Sequence, residues 1–305
     1  MYAPAVAVKG LVKHYGDVRA VDGISFTVGR GEVFSLLGPN GAGKTTTVEI
    51  IEGLRKADSG NVRVLGIDIR KRRREILKRI GVLPQDFSSF DNLTVIETVR
   101  YFQELFGGGT DVKELLKAVG LGGEEKRLYK ELSGGQKRRL GIATALVSDP
   151  EIVFLDEPTT GLDPRGRREI WRVIERLKER GKTVFLTTHY MEEAEALSDR
   201  VAIMSRGKII AMGSPGELIE KHEKGLKVTV KGGRGLEDIV KSLGLPVKRE
   251  GEGLQIACSG MRDVFTLLRT LEESHTSFNT LQVRGATLEE VFLDLTGERL
   301  GGDES

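Results

Sequence analysis

Eight consecutive residues, Gly38-Pro39-Asn40-Gly41-Ala42-Gly43-Lys44-Thr45, carry the densest chemistry in the chain. Glycines at this spacing let successive backbone N–H groups converge on one point, and a helix opening at Thr45 adds its positive end. Lys44 contributes a full charge, and the Thr45 hydroxyl, followed by Thr46, is an oxygen ligand of the kind Mg²⁺ prefers. The pattern is G-x4-G-K-T, and the chemistry it suits is a chain of phosphates. A chance glycine-rich turn is the plainer alternative. It is disfavoured by context: the apolar run Val33-Phe34-Ser35-Leu36-Leu37 precedes the loop and a helical run over 45–53 follows it.

Hydrolysis of such a phosphate chain also needs a carboxylate for the metal and a group that activates water. Ile152-Val153-Phe154-Leu155-Asp156-Glu157 brings two acids to the tip of an apolar strand. Neighbouring strand residues point to opposite faces, so one acid can turn to the metal and the other to the attacking water. Leu132-Ser133-Gly134-Gly135-Gln136 precedes another helix and exposes backbone N–H groups at its positive end, a second surface able to hold phosphate. Taken alone, Ser133 could be only a helix cap.

These groups need a frame that brings them to one edge. Short apolar runs at 33–37, 152–155, 183–187 and 201–204 read as strands buried on both faces, alternating with helices such as 163–180, which starts at Pro164 and stops at Gly181. An α/β domain on a largely parallel sheet is therefore expected, with a helical insert over about 88–147. Charged residues around 220–225 read as a linker. Beyond it the predicted order over 226–298 is β-α-β-β-α-β plus a last helix, a small α+β unit of ferredoxin-like arrangement. Residues 299–305 read as a flexible tail.

Together the three motifs make the chain resemble the ATP-binding subunits of ABC transporters, over roughly residues 6–220. The resemblance implies an ABC ATPase fold over residues 1–222, with ATP and Mg²⁺ as cofactors. It also implies roles for residues that are mute alone: Tyr15 stacking on adenine, Gln85 contacting Mg²⁺ and sensing a transmembrane partner, Asp163 in a loop crossing to a second subunit, and His189 reading the γ-phosphate. Without it Tyr15 is a packing aromatic, Gln85 a surface glutamine and His189 a satisfied histidine. The implied mechanism is a head-to-tail homodimer that sandwiches ATP between the Gly38–Thr46 loop of one copy and Ser133, Gly134, Gly135 and Gln136 of the other. In it Thr45, Gln85 and Asp156 serve the metal, and Lys44, Glu157 and His189 serve catalysis. Ala286-Thr287-Leu288-Glu289-Glu290-Val291-Phe292-Leu293-Asp294 is similar to the daunorubicin-resistance type of exporter ATPase, which implies export of a drug, lipid or polysaccharide through a separate permease.

Composition limits the alternatives. The 305 residues carry 47 Lys plus Arg against 45 Asp plus Glu, a net charge of +2, which excludes bulk attraction to nucleic acid as the main activity. The basic run Arg70-Lys71-Arg72-Arg73-Arg74 reads as a solvated face. One cysteine, Cys258, fits a reducing compartment, and no apolar run approaches the 18 or so residues of a membrane span. The expected location is the cytoplasmic face of the cell membrane, held there by the permease. Two other classes share parts of this pattern. A DNA-repair or translation ATPase of this superfamily would carry a long coiled coil or tandem ATPase domains, and neither is present. An importer ATPase would use the C-terminal unit as a ligand sensor.

Overall fold

The computed structural model describes residues 3–222, 225–232, 236–251, 253–274 and 276–297. In chain order its first part contains β1 (Val6–Tyr15), β2 (Val18–Val28), β3 (Val33–Leu37), α1 (Lys44–Ile51), β4 (Ser59–Val64), β5 (Ile67–Asp68), α2 (Arg73–Leu77) and β6 (Ile80–Leu83). The helices α3 (Val95–Phe106), α4 (Val112–Ala118) and α5 (Gly134–Ala145) then precede β7 (Ile152–Asp156), α6 (Pro164–Glu179), β8 (Thr183–Thr188), α7 (Met191–Leu197), β9 (Arg200–Ser205) and β10 (Lys208–Gly213).

The sheet that carries the motifs has the order β10-β9-β3-β8-β7-β6. Five of its strands are parallel and only β10 runs antiparallel, against β9. Strands β3, β7 and β8 are buried at every residue, which explains their unbroken apolar runs. Side-chain parity divides each strand between two cores. Phe34, Leu36, Phe154 and Phe185 join one, while Val33, Val153, Leu155, Val184 and Leu186 join the other with the helices of the 95–145 segment and α6.

The first core is shared with a second sheet, of order β2-β1-β4-β5, that is antiparallel throughout. The residue pattern over 6–68 does not separate this sheet from the parallel one. Phe26 of β2 stacks on Phe34 of β3, with ring centres 5.3 Å apart and planes 5° from parallel, and Phe34 in turn packs 5.5 Å from Phe185. Helix ends follow local chemistry. Thr94 and Glu97 form a reciprocal cap at the start of α3, and Asp163 caps α6 through Gly166 N–H at 2.8 Å.

A second compact unit begins at Gly216. The stretch expected as a linker around 220–225 is in part helical, since α8 spans Pro215–His222, while Glu223 and Lys224 lie outside the described residues. The unit continues with β11 (Leu226–Lys231), α9 (Leu236–Ser242), β12 (Val247–Glu250), β13 (Gly253–Cys258), α10 (Met261–Glu273), β14 (Thr280–Arg284) and α11 (Leu288–Thr296). Its sheet has the order β12-β13-β11-β14, all antiparallel. Alternate residues Val228, Val230, Leu254, Ile256 and Cys258 face Val240 of α9 and Val264, Leu267 and Leu271 of α10. The tail expected at 299–305 lies outside the described residues.

The Phe34 ring sits where two sheets meet, fully buried. Phe34→Ala is expected to cost about 3–5 kcal/mol through lost burial and an unfilled cavity. Urea unfolding followed by circular dichroism measures it, and a cost below about 1 kcal/mol would show that the sheets meet elsewhere.

Candidate active site at the carboxyl edge of the parallel sheet

The loop between β3 and α1 holds its shape because two glycines stand where no side chain fits. A Cβ on Gly38 would come within 2.2 Å of the Met204 carbonyl oxygen, and one on Gly43, at φ +100°, within 2.1 Å of the Ala20 carbonyl oxygen. Behind the loop, Lys44 is 4% exposed; its ammonium donates to the carbonyls of Gly38 at 2.8 Å and Pro39 at 3.1 Å. The same ammonium lies 3.3 Å from Glu157 Oε1.

Glu157 follows the tip of β7 and is itself 6% exposed. Its φ of +45° is left-handed, a conformation that costs a β-carbon-bearing residue about 1 kcal/mol or more. The surroundings impose it: Glu157 N–H donates to Thr187 Oγ1 at 3.0 Å, the Thr160 hydroxyl donates to Glu157 Oε2 at 3.1 Å, and His189 Nδ1 lies 3.2 Å from that oxygen. Asp156 points elsewhere, its carboxylate taking hydrogen bonds from the hydroxyls of Thr187 and Thr45.

The two acids are driven in opposite directions. Burial raises the Asp156 pKa, and the two hydroxyls only partly offset it. Burial acts on Glu157 as well, but His189 and Lys44 outweigh it and hold that carboxyl down at about 2. Lys44 is itself lowered by burial, against the pull of Glu157. Paired titratable groups pushed apart in this way are the usual mark of divided chemical roles. Glu157 is ionised at neutral pH and can accept a proton or orient water; Lys44 can offset phosphate charge. Asp156 and the Thr45 hydroxyl form an all-oxygen donor set in which a buried carboxylate gains from a cation, and this chemistry fits Mg²⁺.

Other expected residues lie apart from this cluster. Ser133 and Gln136 cap α5 reciprocally, and with Gly134, Gly135, Gly161 and Asp163 they line a separate surface depression of about 450 Å³ that includes no residue of the Lys44 loop. Tyr15 is 41% exposed at the end of β1, with the Arg55 guanidinium 5.2 Å from its ring. Asn40 and Gly41 are exposed on the loop crest, Ala42 is buried beneath it, and Thr46 is half-buried on α1.

The Gln85 side chain is exposed, but its backbone joins the site through a residue that sequence reasoning missed. Arg138, on α5, donates to the carbonyls of Pro84 (2.9 Å), Gln85 (2.7 Å), Asp156 (2.5 Å), Glu157 (2.8 Å) and Pro158 (3.0 Å). All the N–H groups of its fork are thereby used. Its neighbours Lys137 and Arg139 give it the look of an ordinary surface cation, so no signal in the sequence marks it. Glu52, at the end of α1 and 4% exposed, was also missed; burial, with repulsion from Asp156 and Glu49, pushes its pKa up to about 8.

The ABC transporter family model matches residues 21–160. Over 97% of its length the chain is 41% identical to the Nod factor export ATP-binding protein I of Rhizobium sp. (strain N33), spanning 98% of that protein. It is 37% identical to the daunorubicin/doxorubicin resistance ATP-binding protein DrrA of Streptomyces peucetius, covering 96% of this chain and 92% of the relative. Among solved structures, a nucleotide-free ATP-binding cassette from an ABC transporter superposes with a TM-score of 0.65 at 27% identity, over 72% of this chain and 94% of that one. A dimeric bacterial ABC transporter cassette gives 0.62 at 28% identity, over 68% and 98%.

Glu52 gives a pH signature. The unfolded chain releases this proton near the ordinary 4.5, whereas the folded protein keeps it up to about 8, so folding takes up a proton in between and stability falls as pH rises through that window. Glu52→Gln is therefore expected to gain on the wild type between pH 5 and 8, by at most about 1.4 kcal/mol per unit. Thermal melts at pH 5 and 8.5 test this; a gap that does not widen with pH would refute it.

Proposed function

This chain belongs to the ATP-binding subunits of ABC transporters, an ATP-hydrolysing family, and from that premise we propose that it is the motor of an exporter, driving a separate membrane permease by closing and reopening an ATP-sandwiched homodimer. The observation that carries this reading is the convergence of Lys44, Glu157 and His189 on one buried point beside the glycine loop. Backbone N–H groups of Gly41 to Thr45 cradle the β- and γ-phosphates, and Lys44 exchanges its Glu157 partner for a γ-phosphate oxygen. Glu157, released, orients a water for in-line attack and accepts its proton, while His189 holds the γ-phosphate in line. Thr45, Asp156 and the Gln85 amide would hold Mg²⁺, which supplies neutralisation of phosphate charge when bound. Tyr15 offers its ring to the adenine. No second chain is needed for these contacts.

Ser133, Gly134, Gly135 and Gln136, with Asp163 beside them, complete the ATP site of the opposite copy. Their separation from Lys44 within one chain, at the paired starts of α5 and α6, supports a head-to-tail dimer. The relative solved in dimeric form is in keeping with it. For the permease, the chain offers an apolar groove of about 620 Å³ next to Gln85, lined by Leu54, Leu77, Phe87, Phe102, Leu105 and Phe106. Leu54, Leu105 and Phe106 are each more than half exposed, a contiguous patch that a soluble surface would not keep uncovered. Among the described residues no helix is long and apolar enough to cross a membrane, so the chain's place at the cytoplasmic face depends on this contact.

The relatives are named for export of Nod factor and for daunorubicin/doxorubicin resistance, which supports export of a drug, lipid or polysaccharide. The C-terminal unit, with its 4-1-3-2 strand order in local numbering, supports a ferredoxin-like accessory domain over 226–298 after a motor domain over 1–222. The repair, translation and importer alternatives have no such support.

Glu157→Gln should lower ATP turnover by roughly 10²–10⁴-fold and accumulate an ATP-bound dimer, read by phosphate release and size-exclusion chromatography. Lys44→Ala should lose ATP binding measured by calorimetry. Normal turnover in either variant would sink the assignment.

A further inference from the structure

Outside the residues assigned to ATP, one buried acid ties the segment that carries His189 to α6. Glu193 is 1% exposed, and its Oε1 accepts a hydrogen bond from Trp171 Nε1 at 3.0 Å. Burial pushes its pKa up, while the nearby hydroxyls of Thr188 and Thr159 and the Trp171 N–H work against that. Thr188 directly precedes His189 and fixes the turn there, its Oγ1 accepting the Tyr190 N–H at 3.0 Å. Thr159 belongs to the loop that follows Glu157.

A second contact runs alongside. The Arg167 guanidinium lies 5.2 Å from the centre of the Tyr190 ring, and that ring lies 4.1 Å from the His189 imidazole. Arg167 and Trp171 are four residues apart on α6, so they share a face. That face therefore grips the His189 segment at two points, and α6 itself is capped by Asp163.

We propose that Glu193 is a positioning residue for ATP hydrolysis: through Trp171 it locks the His189 segment to α6 and so keeps the imidazole within reach of Glu157. The proposal rests on Lys44, Glu157 and His189 being the hydrolytic site. An amide at 193 can do the same work, its oxygen accepting from Trp171 as the carboxylate does. A methyl group leaves the indole N–H without that partner and frees the segment to shift. Misplacement by about 1 Å is enough to cost up to 10²-fold in rate.

The test compares Glu193→Gln, Glu193→Ala and Trp171→Phe for kcat and KM of Mg-ATP hydrolysis by the full-length chain. Trp171 is the single tryptophan, so its emission reads the bond directly. Expected are near-normal kcat and emission in Glu193→Gln, and a kcat reduced roughly 10- to 100-fold at unchanged KM in Glu193→Ala. A shifted emission maximum should accompany that loss. Trp171→Phe, which keeps an aromatic ring and removes the donor, should lose kcat similarly, and it decides the matter if Glu193→Ala does not fold. Unchanged kcat in Glu193→Ala or Trp171→Phe, or equal impairment in Glu193→Gln and Glu193→Ala, would overturn the proposal. Glu157→Gln and His189→Ala run in parallel. If they leave turnover intact, the site assignment itself fails; if they abolish it while position 193 is silent, only the positioning role fails.

Discussion

The buried contact between Lys44 and Glu157 is the interaction on which the rest of the motor unit depends. Two opposite charges, each less than a tenth exposed, meet 3.3 Å apart. Removing either partner of such a pair leaves an uncompensated charge in the interior, at about 3–5 kcal/mol. The loop glycines allow the lysine to approach its own backbone, the left-handed turn at Glu157 aims the carboxylate back at it, and His189 closes the far side. Each of these features is unfavourable or unremarkable alone and makes sense through the pair.

The pair can form because five parallel strands end at one edge. Parallel strands buried on both faces deliver their last residues to a common rim, where open α/β sheets place ligands. Parity then sorts the chemistry. Asp156 keeps the sense of Phe154 and turns toward Thr45 and Thr187, whereas Glu157 lies one step further and across a backbone reversal, beside Lys44. Adjacent acids thus acquire opposite pKa shifts without any other element separating them.

Much of this was legible in the sequence because the informative motifs are local. A strand, a glycine loop and a helix in succession, or an apolar strand ending in two acids, state their own geometry. The antiparallel sheet was not legible, for a physical reason. Gly10, Gly16 and Gly23 adopt positive φ and the β1–β2 register shifts at several points, so the two-residue alternation that reveals a half-buried strand is broken. Buried polar residues were equally silent: Arg138 and Glu193 stand beside other charged residues and Glu52 closes a helix, and only the packing shows them turned inward. Ser133 and Asp163 were legible as helix starts, and within one chain they cap those helices.

Arg138 bonds to main-chain oxygens and to no side chain of the two loops it joins. A yoke of this kind holds main chain alone, so the linkage does not depend on the chemistry of the side chains the loops carry. It also sets a mechanical rule. The strand end at Pro84 and Gln85 cannot travel far without dragging the backbone of Asp156 and Glu157 or surrendering several charge-assisted bonds at once.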